Sequence, residues 1–343
     1  MSFTNICRFP SVEEILSSLP LPKHLAAIKK SRDQEIRRIF TREDQRFLLI
    51  IGPCSAHNED AVCTYVSRLA RLQEQVADVL MLIPRIYTNK PRTTGEGYKG
   101  MLHQPDHLKK TDIAKGLKAI RQMHLRALEE SHLSAADEML YPGNYPYLAD
   151  LLSYVAVGAR SVENQQHRLT VSGLDVPVGM KNPTSGDLKV MLDSVFAAQI
   201  SHRFIYNDWE VSTSGNSLTH AVIRGSVDRA GNHLPNYHYE DLIRLAAIYE
   251  ERKLENPTII VDLNHSNSGK KYKEQPRIAA EVMHSRRQAK HLAGMIRGLM
   301  IESYLLPGSQ GASGTEFGRS ITDSCLGWDE SETLVLKLAE SIG

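Results

Sequence analysis

The chain is poor in cysteine, with four in 343 residues. Cys7, Cys54, Cys63 and Cys325 fall at no zinc-ribbon or disulfide-scaffold spacing. That excludes a small cross-linked secreted fold and points to a reducing compartment, the cytoplasm. There is no excess of charge of either sign. The 41 Lys and Arg residues balance 40 Asp and Glu residues for a formal net charge of +1, so no basic field is offered to nucleic acid or to an acidic membrane surface. No apolar run approaches the roughly 20 residues of a membrane-spanning helix. The opening MSFTNICRFPSVEE lacks the apolar centre of a signal peptide. Internal repeats and low-complexity segments are also missing. What is present is 41% hydrophobic and 24% charged residues, enough to bury a substantial core.

Short apolar runs alternate with stretches of helical periodicity. RFLLIIGP leads into a helix carrying Val62, Val66, Leu69 and Val76, with Asn58 or Asp60 able to cap it. VLMLIPR (79–85) precedes a helix with Ile113, Leu117 and Ile120 on one face and Thr111 as its expected cap. SAADEM (134–139), YVAVGAR (154–160), VPVGMK (176–181), HRFIYND (202–208), TIIVDL (258–263) and IRGLMIE (296–302) read as strands three to eight. Eight such units in one chain predict a (β/α)8 TIM barrel over residues 46–343. Residues 1–45 form an N-terminal extension that packs on the barrel or on a neighbouring subunit. VSTSGNSLTHAVIRG, about 209–225, alternates around Ser-Gly-Asn and predicts a β-hairpin inserted between strands six and seven.

Residues able to bind a metal sit just past separate strands: Cys54, His265, Glu302 and Asp323. In a closed parallel barrel, side chains at the carboxyl ends of different strands converge on one face. Arg85, Lys90, Arg92, Arg160, Lys181 and Arg224 fall on that same face, with Glu138 near the end of strand three. So many cations would repel one another without anions, and arginine forks suit carboxylate and phosphate. Thr93 and Thr94 add hydroxyls beside Arg92 in KPRTT. The face reads as a site for two phosphorylated small molecules and a metal. Each residue alone has a plainer role: a buried Cys as a small core residue, His265 or Asp323 as a cap or turn, an Arg as half of a surface ion pair. Their common placement is what favours a site.

The strings IGPCSAH, KPRTT followed by YKG, YLADLLSY, VGARSVENQQHR, VPVGMKN, VIRG, NHSN, ESYL and SITDSCLGW occur in this order from about Pro10 to the end. In this the chain resembles the type I 3-deoxy-D-arabino-heptulosonate 7-phosphate (DAHP) synthases, most closely their feedback-regulated bacterial and yeast group. The resemblance implies condensation of phosphoenolpyruvate with erythrose 4-phosphate, the first committed step of the shikimate pathway. It implies one divalent ion (Mn, Fe, Co or Zn) on Cys54, His265, Glu302 and Asp323. Arg85, Lys90, Glu138, Ala159, Arg160, Lys181 and Arg224 would surround phosphoenolpyruvate, and Arg92, Thr93 and Thr94 would hold the phosphate of erythrose 4-phosphate. Lys90, Glu138 and His265 would take part in the chemistry.

The resemblance further implies a homodimer or homotetramer and an aromatic amino acid inhibitor. The chain departs from the family pattern in GEGYKG, one residue longer with Tyr98 in place of Trp, in Pro183 where Gly is usual, and in Tyr141 where Asp is common. These changes touch regulation and loop closure more than the chemical groups. Two rival expectations follow from other classes. A related synthase joining phosphoenolpyruvate to another aldose is opposed by KPRTT and SITD…GW. A non-catalytic effector-binding homologue is opposed by retention of all four metal positions.

Overall fold

The structure, a computed structural model, describes residues 2–92 and 94–342. Two helices precede the first strand, α1 (Val12–Ser18) and α2 (Lys23–Phe40). The alternating part then runs β1 (Phe47–Gly52), α3 (Glu59–Val76), β2 (Leu80–Pro84), α4 (Ile113–Ser131) and β3 (Ala135–Glu138). It continues through β4 (Leu152–Val157), α5 (Gln165–Val171), β5 (Val178–Lys181) and α6 (Leu188–Gln199). A pair of strands follows, β6 (Arg203–Tyr206) and β7 (Trp209–Ser212), then β8 (Thr219–Ile223), β9 (Ser226–Val227), β10 (His233–Leu234) and α7 (Tyr239–Arg252). The chain ends with β11 (Ile259–Asp262), α8 (Gln275–Gln288), α9 (Lys290–Met295), β12 (Ile296–Glu302) and α10 (Trp328–Ile342).

Eight of these strands form one parallel sheet in the order β2-β1-β12-β11-β8-β5-β4-β3. A parallel bridge from Arg85 to Ala136 joins the two ends and closes the barrel. Strands β1, β2 and β12 are buried at every position. They have helices on one side and barrel interior on the other, so they read as continuous apolar runs without alternation. Asn58 caps α3 by accepting from the Ala61 amide, and Asp112, one residue beyond the expected Thr111, caps α4 through the Lys115 amide. After β3 the connecting helix is reduced to a 3-10 turn over Pro142–Tyr147.

Two cores result. The larger lies between strands and outer helices. The smaller fills the barrel, where Leu48, Ile50, Met81, Ile83, Ile260 and Met300 meet Ile36, Ile39 and Phe40 of α2. The extension therefore plugs the amino-terminal end of the barrel, leaving the opposite end as the open one.

The hairpin expectation needs correction. HRFIYND is not a barrel strand: β6 pairs antiparallel with β7 in a separate two-stranded sheet, and the sixth barrel strand is β8 within THAVI. The large hairpin thus lies between barrel strands five and six. Its turn is Asn207-Asp208, both at positive φ, the signature of a tight primed turn. A second, smaller ribbon, β9 with β10, does stand between strands six and seven, at 226–234.

Candidate active site

The carboxyl ends of the barrel strands surround a cavity of about 410 Å³. Its wall includes Lys90 and Arg92 after β2, Glu138 at the end of β3, Arg160 after β4, Lys181 at the end of β5 and Arg224 after β8, together with Ala159, His265 and Asp323. At one edge of this wall, Asp323 and the buried Cys54 and Glu302 each bring one ligating atom within 4.8 Å of the others. His265 stands beside them, with Nε2 3.7 Å from Glu302 Oε1. The four residues named from sequence are thus gathered at one point, three as a tight cluster and His265 at its edge. Sulfur, nitrogen and carboxylate donors of this kind suit a divalent transition ion.

The backbone explains the convergence. Parallel register sets Gly52 opposite Glu302. The turn after β11 reverses sharply, with His265 at φ 51°, a region a non-glycine residue seldom occupies. Asn264 supports Glu302, donating from Nδ2 to Oε2 at 2.5 Å.

Buried charge is compensated pair by pair. Arg85 Nη1 donates to Glu302 Oε1 at 2.7 Å, with both side chains almost wholly buried. Burial alone would disfavour the arginine's charge, yet the adjacent carboxylate raises its pKa well above the ordinary value. Glu302 is held below the usual carboxylate range: burial opposes its charge, and Arg85 and His265 outweigh that. Lys90 Nζ lies 2.8 Å from Cys54 Sγ. Burial pushes the Cys54 thiol up to about 11, with Glu302 adding to the effect. For Lys90, burial works against the ammonium, but Cys54, Glu302 and Asp323 raise its pKa overall. An ammonium already sits against this donor set, which fits a place built for positive charge. Asp323 stays ionised because Lys90, His265 and Lys270 overcome its burial.

Two groups that sequence reasoning passed over organise the other side. Asp262, fully buried, lies 2.9 Å from His265 Nδ1 and 3.5 Å from Lys181 Nζ. These neighbours hold its carboxyl far below the usual range against the cost of burial. Tyr87 is a platform: Arg85 lies 4.0 Å and Lys181 5.4 Å from its ring centroid. Asp262 ends a strand, a signal that was available. Tyr87 follows β2 with no sequence mark of its role.

The remaining expected residues divide. Arg92 reaches the cavity and donates from Nε to the Tyr98 carbonyl at 2.8 Å. Thr94 is exposed beside it, and Thr93 lies outside the described residues. Arg85 is below the wall rather than on it. Gly158 matters to Glu138, because a Cβ at that position would overlap Oε1 of the carboxylate. Gly158→Ala is expected to displace Glu138 and lower kcat/KM by roughly tenfold or more. A flexible carboxylate can give way, so unfolding free energy should change by less than about 1 kcal/mol. A loss of stability matching the loss of activity would refute this.

Comparison with known proteins follows the same lines. Residues 26–336 match the DAHP synthetase I family. The phospho-2-dehydro-3-deoxyheptonate aldolase of Haemophilus influenzae is 36% identical over 336 residues, covering 96% of this chain and 90% of its own length. The Phe-sensitive and Trp-sensitive enzymes of that name from Escherichia coli K12 are 35% and 34% identical, each with 96% of this chain and 93% of its own covered. The solved phospho-2-dehydro-3-deoxyheptonate aldolase of Francisella tularensis SCHU S4 aligns with a TM-score of 0.92 at 29% identity, over 99% of this chain and 98% of its own. Among the described residues no helix is long and apolar enough to cross a membrane. With barrel, strand-end site and relatives agreeing along almost the whole length, the chain belongs to the DAHP synthetase I family of enzymes.

Proposed function

We propose that the protein joins phosphoenolpyruvate to erythrose 4-phosphate, with water, giving 3-deoxy-D-arabino-heptulosonate 7-phosphate and inorganic phosphate. The observation that carries this reading is one cavity pairing a cationic wall with a floor of metal-ligating groups. Arg160, Lys181 and Arg224, with the backbone at Ala159, neutralise and orient phosphoenolpyruvate. Arg92, Thr93 and Thr94 receive the phosphate of the aldose. Arg85 acts from below by fixing Glu302.

Cys54, His265, Glu302 and Asp323 would hold one divalent ion (Mn, Fe, Co or Zn), which when bound supplies Lewis-acid polarisation of the aldehyde. C3 of phosphoenolpyruvate bonds to the aldehyde carbon, and Lys90, kept protonated by its surroundings, gives a proton to the new alkoxide oxygen. Positive character left at C2 is met by water oriented by Glu138. The C–O bond to phosphate then breaks, releasing phosphate and leaving the keto acid. Fixed cations around both substrates lower the cost of bringing anions together.

Phosphate release is expected only with both substrates present, lost on chelation and restored by divalent ion. No turnover with erythrose 4-phosphate, but turnover with another aldose, would replace this reading by that of a sister synthase. Binding without turnover under any metal would favour a non-catalytic homologue.

Feedback control by an aromatic amino acid is a second part of the proposal. A cavity of about 390 Å³ lies between the 3-10 turn and the large hairpin, lined by Tyr145, Leu174, Phe204, Tyr206, Val211 and Ser212. Its aromatic and aliphatic wall with a few hydroxyls suits such a ligand.

A further inference from the structure

The connection after β8 carries a feature that the reaction as proposed does not use. Strands β9 and β10 form a two-stranded ribbon immediately beyond Arg224, and their paired residues Val227 and His233 both line the catalytic cavity. The ribbon is anchored at both ends. Val227 donates its amide to the Thr184 carbonyl at 2.9 Å, beside the end of β5. Gly225 donates to Asn236 Oδ1 at 2.8 Å, and Asn236 donates to Asn267 Oδ1 at 2.9 Å, in the loop that follows His265. Its tip is stapled by Asp228, whose Oδ1 accepts from the amides of Ala230 and Asn232. A ribbon so tied presents its inward side chains at fixed positions.

The His233 ring is itself oriented. Nδ1 lies 3.1 Å from Ser266 Oγ. The ring nitrogen left for a ligand is Nε2, and the residue lines the cavity together with Lys181 and Arg224. When the serine hydroxyl donates to Nδ1, Nε2 carries the proton and is a hydrogen-bond donor. A donor on a wall shared with Lys181 and Arg224 matches a phosphate ester better than a carbonyl or a hydroxyl.

We propose that His233 is a further substrate-binding residue, donating from Nε2 to the phosphate of phosphoenolpyruvate. This rests on the function proposed above. Loss of one charge-assisted hydrogen bond is worth about tenfold in affinity.

The experiment compares wild type, His233→Ala and His233→Gln in the metal-loaded enzyme. KM for each substrate, kcat, the Kd of phosphoenolpyruvate by calorimetry, the Kd of the divalent ion and Tm would be measured. For His233→Ala the expected result is a rise of about tenfold in both KM and Kd for phosphoenolpyruvate. KM for erythrose 4-phosphate, kcat, metal affinity and Tm should stay near wild type, and His233→Gln, which keeps an N–H at similar reach, should recover part of the loss. Unchanged phosphoenolpyruvate Kd in the alanine variant overturns the inference. So does a fall in metal affinity or kcat without a KM change, which would mean that the imidazole only braces Ser266 and His265. Wild-type turnover separates the two levels: its absence refutes the proposed reaction, whereas the calorimetric comparison still judges His233.

Discussion

His265→Ala is expected to lower turnover by at least ~10³-fold at saturating metal, about 4 kcal/mol of transition-state stabilisation. The expectation follows from which nitrogen is free. Asp262 stays ionised at any ordinary pH, with His265 and Lys181 overcoming its burial, and its Oδ2 lies 2.9 Å from His265 Nδ1. The carboxylate charge beside Nδ1 favours the proton of a neutral imidazole there, although neither Nδ1 nor Oδ2 makes a hydrogen bond of good geometry, and Nε2 is left 3.7 Å from Glu302 Oε1. Burial lowers the pKa of His265 against the pull of Asp262, so the neutral form able to ligate is favoured. With a metal on Nε2, as proposed above, Asp262 would be the outer carboxylate that orients the imidazole. Alanine removes the ligand while Asp262 keeps Lys181 at 3.5 Å, so the fold should survive with Tm shifted by only a few degrees. Metal content and affinity, measured with turnover, provide the check. Near-normal turnover at saturating metal would remove His265 from the centre.

The barrel was legible because its strands are buried on both faces and stand apart from the helices as short unbroken apolar runs. The error at strand six has a local cause. RFIY and THAVI are both short, but in RFIY the positions alternate between exposed and half-buried, while all five positions of THAVI are buried. Alternation followed by Asn-Asp is the mark of a hairpin, and Asn207 and Asp208 do take positive φ. The Asn-Asp turn was in the sequence, but the alternation was not, because Phe204, Ile205 and Tyr206 are all apolar and Ile205 is exposed all the same. Cys54 and His265 could be read because they follow β1 and β11, and Glu302 because it ends β12, since closure of the barrel brings strand ends together whatever their separation along the chain; Asp323 comes instead from the long connection between β12 and α10. Contacts that depend on side-chain direction could not be read. Lys90 reaches Cys54 across 36 positions, and Tyr87 lies under both Arg85 and Lys181. His233 sits in a polar stretch, NHLPN, that is indistinguishable from an ordinary loop until the ribbon is seen against the cavity.

Glu302 is expected to produce the largest loss of stability of any single site residue. Glu302→Leu removes the 2.7 Å partner of Arg85, whose side chain is only 1% exposed. Arg85 Nε already has no hydrogen-bond partner. Breaking a buried pair in this way costs about 3–5 kcal/mol, because the remaining charge is left desolvated. The Tyr87 face beneath the guanidinium, worth at most ~2 kcal/mol, does not make up the difference. The double variant Arg85→Met with Glu302→Leu has no stranded charge and should regain most of that stability in denaturant unfolding. Asn264 Nδ2 then loses its carboxylate acceptor but keeps the Ser324 carbonyl at 3.3 Å, so the remaining penalty stays below the roughly 1–3 kcal/mol of a fully unsatisfied buried donor. Turnover should be absent in the single and the double variant alike, because each lacks one of the three clustered ligating groups. Stability that returns without activity would mean that Arg85 is retained to hold Glu302 for the reaction. A single variant losing less than about 1 kcal/mol would instead mean that the guanidinium finds other solvation, and the pair would not organise the floor of the site.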